Sequence, residues 1–425
     1  MHLPLASPFR IFLFLLVVVY SISAKSENIH QLLFEGLTKT KESYLRGIVL
    51  SKEGTTFSEE KLKEDVQNLR NLNLFFSVNE RHKWNETAEG WVVVFIIEEA
   101  NYLYPVLSVS GFTAQLQFEV GVNQINFRGH AESLGIVYRY YDRHSISAFY
   151  SGFMHKNSKT GHFASITKYS TIEPLYFSDT VADFNFDNYN ISLGGHYWWT
   201  YSLRTGLGGM YMYEIYEQID SSFNLLDDRR YYFHKYQFRT FTEYSTLNQH
   251  FEFRWGFTDR LHLETVQAIN FPEISYVKLA NELSWFQRIG KRHNIGFRNR
   301  IGISTNIDSP FTPFVLDGFI NVRGIGNRIA RGTAEFVANF EYRYSFWRHK
   351  WFFIQSVVFS DFGTLRPPGG QLSDMISNAK DGLFIGGGLR FHSRFFYKTT
   401  FRIDYSFNPL QPNNHGLTFG FGQFF

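Results

Sequence analysis

Hydrophobic and polar positions alternate along much of this chain. From Thr333 to Phe346, Ala334, Phe336, Ala338, Phe340, Tyr342, Tyr344 and Phe346 fall on one face, and Glu335, Val337, Asn339, Glu341, Arg343 and Ser345 on the other. A period of two is the signature of a strand. The same pattern recurs elsewhere. Ile295, Phe297, Ile301 and Ile303 oppose Arg298 and Arg300; Leu383, Ile385, Leu389 and Phe391 oppose Arg390 and His392; Phe395, Tyr397, Phe401, Ile403 and Tyr405 oppose Lys398, Arg402 and Asp404. A soluble sandwich hides its apolar face in a core, whereas a membrane barrel turns that face to lipid and its polar face to the lumen. Successive strands that set Arg and Lys against long apolar rows favour a barrel with a wet interior.

The segment from Asn28 to about Glu99 is patterned differently. Ile29–Phe34 reads as a strand ended by Gly36. Thr40 is placed to cap a helix through Tyr44, Leu45 and Ile48, and Ser58 to cap a second helix carrying Leu62, Val66, Leu69 and Leu72. Gly54 marks the turn between them. Leu74–Val78 and Trp91–Ile97 read as strands. The predicted order is strand, helix, helix, strand, strand, which by itself fits any small α+β domain. After it, Tyr102–Phe112, Leu116–Phe127, Ala131–Tyr141 and Ser145–His155 read as strands, whereas His162–Asp228 gives no clear boundaries. Asp220–Arg230 and Pro367–Lys380 read as loops. At about ten residues per strand plus turns, the region to Phe425 accommodates about sixteen strands.

Composition supports a barrel. Among 425 residues, 47 Phe, 25 Tyr and 8 Trp make aromatics 19% of the chain, as expected of interfacial aromatic girdles. The mean hydropathy of −0.23 excludes a helical membrane protein. Beyond the N-terminus there is no apolar run of about 18 residues. Residues 1 to about 24 read as a signal peptide, with Arg10 before the apolar stretch Ile11–Tyr20 and small residues Ser21–Ala24 at a cleavage position; an N-terminal anchor helix would also fit. A net charge of +3 does not argue for nucleic acid, and the lack of Cys excludes disulfides, thiolate metal sites and Cys nucleophiles.

Catalytic signatures are missing. There is no Gly-x-Ser-x-Gly elbow, His-Glu-x-x-His or P-loop. The 15 His are dispersed, and His144, His155 and His162 read as loop or interface residues. Glu59-Glu60, Glu98-Glu99 and Asp227-Asp228 read as solvated pairs, and Asn85-Glu86-Thr87 as an incidental sequon. No catalytic residue, metal site or cofactor is expected.

Specific motifs carry a family resemblance. Gly36, Thr40, Arg46, Gly54, Phe57-Ser58 and Phe75-Phe76 resemble the pattern of a POTRA domain, with Leu37 where that family often has Asn. Asn126-Phe127-Arg128-Gly129, Val322-Arg323-Gly324, Glu341, Phe359-Ser360-Asp361-Phe362-Gly363-Thr364 and the closing Leu417–Phe425 stretch resemble, in that order, elements of BamA/TamA-type outer-membrane barrels, the bacterial surface antigen family. Ile325 stands where that family has an aromatic. The implied organisation is a signal peptide (1–24), one POTRA-like α+β domain (25–100) and an all-β transmembrane barrel of about sixteen antiparallel strands (101–425).

The resemblance also implies functional residues. The loop motif Val322, Arg323, Gly324, Ile325 would fold into the lumen. Arg323 would meet Glu341 and Asp361 there, and the strand alternation independently points Glu341 inward. The last strand would end in an aromatic assembly signal. A barrel that admits other chains needs one weak seam, which we place at Gly111, Gly420, Gly422 and Phe425, since glycine weakens a strand interior. An edge formed by Leu74, Phe75, Phe76 and Val78 would take up an extended client strand. The implied partners are outer-membrane lipid, unfolded outer-membrane or secreted polypeptides, and accessory lipoproteins, in the outer membrane of a Gram-negative bacterium with the POTRA domain in the periplasm. The expected function is assistance to outer-membrane protein insertion, without enzymatic activity. A two-partner secretion transporter shares this barrel; it would usually carry two POTRA domains and a plug helix, for which Lys25–Glu27 leaves no room. A passive channel or a structural surface antigen would also be compatible with the strand pattern.

Overall fold

The computed structural model describes residues 27–425 except 113–114, 154–158, 177–180, 220–229, 251, 327–329, 350–351 and 394–399. The expected signal peptide, most of the Asp220–Arg230 loop, His155, and Phe395, Tyr397 and Lys398 lie outside the described residues. The chain forms two compact units, one running to Thr38 and over Leu45–Glu99, the other comprising Lys39–Tyr44 and Ala100–Phe425.

The small domain contains β1 (Ile29–Glu35), α1 (Glu42–Ile48), α2 (Glu59–Asn71), β2 (Phe75–Asn85) and β3 (Gly90–Glu99). Its sheet order is β1-β3-β2, with β1 parallel and β2 antiparallel to the central β3. β3 buries Val92, Val93, Val94, Phe95 and Ile97, and α2 buries Leu62, Val66 and Leu69. The Ser58 hydroxyl caps α2 by accepting from the Lys61 amide at 3.3 Å. Asp65, fully buried on α2, accepts from the amides of Leu50 (2.5 Å) and Ser51 (3.0 Å) and so ties down the chain after α1. Gly36 adopts φ +87°, and a Cβ there would collide with the Ile97 carbonyl.

Two expectations need correction. Thr40 is not adjacent to α1, which begins at Glu42; its buried hydroxyl pairs with Tyr102 (2.8 Å) and accepts from Asn126 Nδ2 (2.9 Å). The strand expected to end at Val78 continues to Asn85, because its partner β3 offers a ladder as far as Gly90.

The second unit is a closed antiparallel barrel. Its strands are β4 (Leu103–Phe112), β5 (Gln115–Phe127), β6 (Glu132–Tyr141), β7 (Arg143–Phe153), β8 (Thr160–Tyr176), β9 (Val181–Trp198), β10 (Leu203–Gln218), β11 (Arg230–Ser245) with the short β12 (Asn248–His250), β13 (Phe253–Ala268), β14 (Tyr276–Ile289) and β15 (His293–Ser304). After the loop hairpin β16 (Phe314–Leu316) and β17 (Ala330–Gly332) come β18 (Ala334–Arg348), β19 (Phe352–Arg366), β20 (Leu383–Ser393), β21 (Thr400–Asn408) and β22 (Gln411–Phe421). Leaving out the three short pieces, sixteen strands close the barrel. No helix among the described residues is long and apolar enough to cross a membrane.

Apolar side chains face outward. Leu107, Ile136, Ile166, Leu193, Leu207, Phe238, Leu263, Ile301, Phe340 and Val358 are all exposed on the exterior. A tilted strand needs about 9–11 residues to span a bilayer, so β8 and β9, with 17 and 18 residues, extend well beyond it. Their overhang has a core of its own inside the barrel, built from Leu175, Phe184, Phe186, Tyr216, Phe233 and Ile274. This explains why His162–Asp228 gave no clear boundaries: a strand that leaves the lipid acquires apolar residues on its inner face and loses the simple alternation.

Candidate functional site

The loop between β15 and β18 enters the lumen. Its tip is held by its own polar groups: Asp317 Oδ1 accepts from the Phe319 amide (2.7 Å), Asn321 Oδ1 from the Asp317 amide (2.8 Å), and the Gly318 amide donates to the Gly326 carbonyl (2.6 Å). Gly324 has φ +86°, and a Cβ would strike Ser406 Oγ and Phe384. Only glycine fits this position. Val322 and Ile325 are buried with Phe314, Leu316, Val337, Leu365 and Phe384. Ile325 therefore anchors the tip by aliphatic packing where an aromatic was expected.

This turn delivers Arg323 into a fully enclosed ionic site. Its Nε and Nη2 donate to Asp361 Oδ2 and Oδ1 at 2.7 and 2.8 Å, its backbone amide also donates to Oδ2 (3.0 Å), and Nη1 donates to Glu341 Oε1. Asp361 also accepts from Asn339 Nδ2 at 2.8 Å, and Glu341 from Arg343 Nε at 2.6 Å. Ser406 Oγ donates to the Arg323 carbonyl (2.9 Å). The guanidinium lies between two rings, with Cζ 3.6 Å from the Phe359 centroid and 4.2 Å from that of Phe424. Arg323, Asn339, Glu341, Arg343, Asp361 and Arg390 all have 0% exposure. At this level the returning loop fills the lumen and leaves none of these side chains exposed. Bidentate geometry of this kind suits guanidinium and not ammonium.

Sequence reasoning brought Arg323, Glu341 and Asp361 to one place but missed several members. Phe359 lies two residues from Asp361 and so on the same inward face, which the alternation could have revealed. Asn339 and Arg343 share the inward face of Glu341 in the same way. Phe424 had no such signal. β22 stops at Phe421, and Gly422 takes φ +87°, after which Phe424 turns inward beneath Arg323, Arg298 and Arg402. Phe425, expected at the seam, also lies in the lumen: its ring is 5.9 Å from that of Phe286, and its backbone oxygen accepts from Arg343 Nη2 at 3.0 Å. The left-handed glycine is the physical reason, since it diverts the chain from the strand direction.

At the seam itself, β22 and β4 join through one register pair among the described residues, Phe419 with Gly111. The neighbouring pair β21–β22 is in register from Phe401–Phe421 to Asn408–Gln411, and β8–β9 from Thr160–Tyr197 to Tyr176–Val181. Gly420 follows Phe419 in β22 and is in register with Arg402 of β21 on the strand's other side. In the small domain, β2 forms one edge of the sheet. Leu74, Phe75 and Val78 bury their side chains, so that edge offers backbone, and Arg70 Nη2 already donates to the Val78 carbonyl at 2.8 Å.

Comparison with known proteins bears on this arrangement. Residues 28–100 match the POTRA family, described as a surface antigen variable number repeat. A BamA from Haemophilus ducreyi lacking POTRA domains 1–3 matches over 93% of this chain and 83% of its own, with a TM-score of 0.57 at 15% identity. The chain shares with this BamA the fold of a POTRA domain followed by a sixteen-stranded barrel. CdiB from Escherichia coli (TM-score 0.62) and CdiB from Acinetobacter baumannii (0.60) share this BamA-type fold, each at 12% identity over 93% of this chain and 76% and 73% of theirs. No curated protein matches in sequence.

Proposed function

We propose that this chain is an assembly factor of the BamA/TamA type, which helps other barrel proteins enter the outer membrane of a Gram-negative bacterium. Its barrel lies in that membrane and its POTRA domain in the periplasm. The observation that carries the reading is the contrast between the single register pair at β22–β4 and the extended ladders elsewhere. A closed barrel has no free edge. Parting a seam that has one register pair among the described residues would expose the edge of β4, and an incoming strand can pair with it through the same main-chain groups.

Arg323 supports the same mechanism from inside. By tying the loop to β18 through Glu341 and to β19 through Asp361, it keeps most of the wall rigid while the seam remains the weak point. The tail beyond Gly422 adds a contact between the last strand and Arg323. In the periplasm, the backbone edge of β2 at Leu74, Phe75, Phe76 and Val78 takes up client segments by strand addition. None of these steps needs a catalytic group or cofactor.

The test is reconstitution. The mature protein is placed in liposomes, an unfolded small outer-membrane barrel is added, and client folding is followed by gel mobility without heating. Faster folding than in empty liposomes, lost in Arg323→Ala, is the expected result. No acceleration together with a large steady conductance would replace this reading with a secretion transporter or channel.

A further inference from the structure

One end of the barrel carries, on a limited arc, two basic residues with no carboxylate partner among the described residues, Lys291 and Arg292. This is the end at which the chain enters β4, and it includes the β14–β15 turn and the end of β18. The turn Gly290-Lys291-Arg292 is exposed, and beside it Arg348, its side chain about one-third exposed, donates from Nη2 to the Lys291 carbonyl at 2.7 Å. Arg288 donates from Nε to the Gly290 carbonyl (3.1 Å) and lies over the Phe253 ring at 4.5 Å. Glu252 is already engaged by Arg348 at 2.8 Å. Lys291 and Arg292 have no carboxylate partner among the described residues. The β9–β10 turn at the same end, Trp199-Thr200-Tyr201-Ser202, contains no charge.

The arc continues directly into the lipid-facing band. Trp285, Ile289, Phe346 and Trp347 are 41–49% exposed on the neighbouring exterior. A cavity of about 300 Å³ opens beside Arg288, lined also by Trp255, Gly256, Gln287 and Gly290. Aromatic side chains settle at headgroup depth, and Lys and Arg reach from there to the phosphate level. A surface that is apolar and aromatic on one side and cationic on the next fits a molecule that is acyl on one side and anionic on the next.

We propose that this arc is a binding site for anionic phospholipid, with Lys291 and Arg292 receiving the headgroup, Arg348 holding the turn through the Lys291 carbonyl, and Trp285 and Trp347 flanking its acyl chains. The inference rests on the reading of the barrel as membrane-spanning. It goes beyond that reading by giving one sector of the lipid annulus a preferred headgroup, in the leaflet at the end where β4 begins. Charge complementarity and continuity with the lipid-facing surface both favour lipid over a soluble anion.

The experiment uses the whole protein in vesicles of phosphatidylcholine containing one fifth phosphatidylglycerol, with lipids retained after mild extraction counted by native mass spectrometry. Phosphatidylglycerol should be enriched over its bulk share. The enrichment should fall by about fivefold for each charge removed in Lys291→Gln and Arg292→Gln, since a basic residue near a membrane surface contributes about that factor. Lys291→Arg should retain it. Both positions are in an exposed turn, and unheated gel mobility verifies that each variant is folded. Equal retention of the two lipids by the native protein, or undiminished enrichment in the double variant, would overturn the site. Displacement of phosphatidylglycerol by inorganic phosphate at matched concentration would overturn it in favour of a soluble-anion site. Failure to enter vesicles of any composition would instead count against the membrane-spanning reading.

Discussion

β3 of the small domain and β18 of the barrel are both strands rich in large apolar residues, and they treat those residues in opposite ways. β3 buries Val93 and Phe95 completely and exposes acidic Glu98. β18 exposes Phe340 and Phe346 at 44% each and buries Asn339, Glu341 and Arg343 completely. The difference lies in the solvent beyond each face. β3 belongs to a domain surrounded by water, where removing apolar area from water is the main driving force. β18 has lipid outside, so the apolar face gains nothing by turning inward, and the polar groups must satisfy one another inside. A buried charge is tolerable only when paired and hydrogen-bonded, which is what Arg323 does for Glu341 and Asp361.

This comparison can be broken most severely at the ionic site. Arg323→Ala should destabilise the barrel by about 3–5 kcal/mol, the usual cost of leaving buried charges without their partner, read as a lower temperature at which the folded band disappears from unheated gels. Arg323→Lys should recover only part of this, because one ammonium cannot reproduce the fork onto two carboxylates.

The apolar faces come next. Phe95→Ala should destabilise the small domain by about 3–5 kcal/mol through a cavity. Phe340→Ala should cost the barrel much less, since lipid chains fill the vacated space. Phe340→Arg should cost more than Phe340→Ala: on a lipid face near the midplane a cationic side chain costs about 2–4 kcal/mol. Denaturant unfolding in detergent or liposomes measures all three. Comparable losses for Phe95→Ala and Phe340→Ala would show that the barrel exterior is not lipid-facing.

Phe424→Ala should have a smaller effect, about 1–2 kcal/mol, from loss of one ring beside a desolvated guanidinium. Phe424→Trp should be tolerated better if the lumen has room for the larger ring. The smallest effect belongs to the water-exposed side of the comparison. Glu53 Oε1 accepts from the Leu32 amide (3.0 Å) and from Arg46 (3.3 Å), and the Leu32 bond chiefly holds its carboxyl below the ordinary carboxylate range. A lowered folded pKa means that its stabilisation is complete above the unfolded value of about 4.3 and is lost as pH falls through the folded one. Glu53→Gln should therefore lower the small domain's stability slightly at neutral pH and make no difference once the pH lies below the folded pKa, which flattens the acid limb of the profile.

Much of this was legible in the chain. The spacing of Leu62, Val66 and Leu69 behind Ser58 located α2 with its cap, because local hydrogen bonding and a single apolar stripe suffice to define such a helix. The alternation at Thr333–Phe346 located β18 and put Glu341 on its polar face. Arg323 and Asp361 entered through motif resemblance and not through any local pattern. The hydroxyl of Thr40 could not be placed, because its partners Tyr102 and Asn126 lie 62 and 86 residues away. The strands between His162 and Asp228 escaped because their overhanging ends are apolar on the inner face as well.

Sequence alone determined the periods, and therefore which residues are strand, which are helix, and which side chains share a face. A two-residue repeat reports that two faces differ; it does not report what each face meets. Only the tertiary structure decided that the polar face of β18 is enclosed by a returning loop and not bathed in water. It also decided that Gly422 sends Phe424 into the lumen and that the first and last strands share, among the described residues, a single register pair. Each of these depends on groups far apart in the chain arriving at one point, and the energies that bring them there, ion pairing without water and ring stacking on a buried cation, do not exist until the barrel has closed.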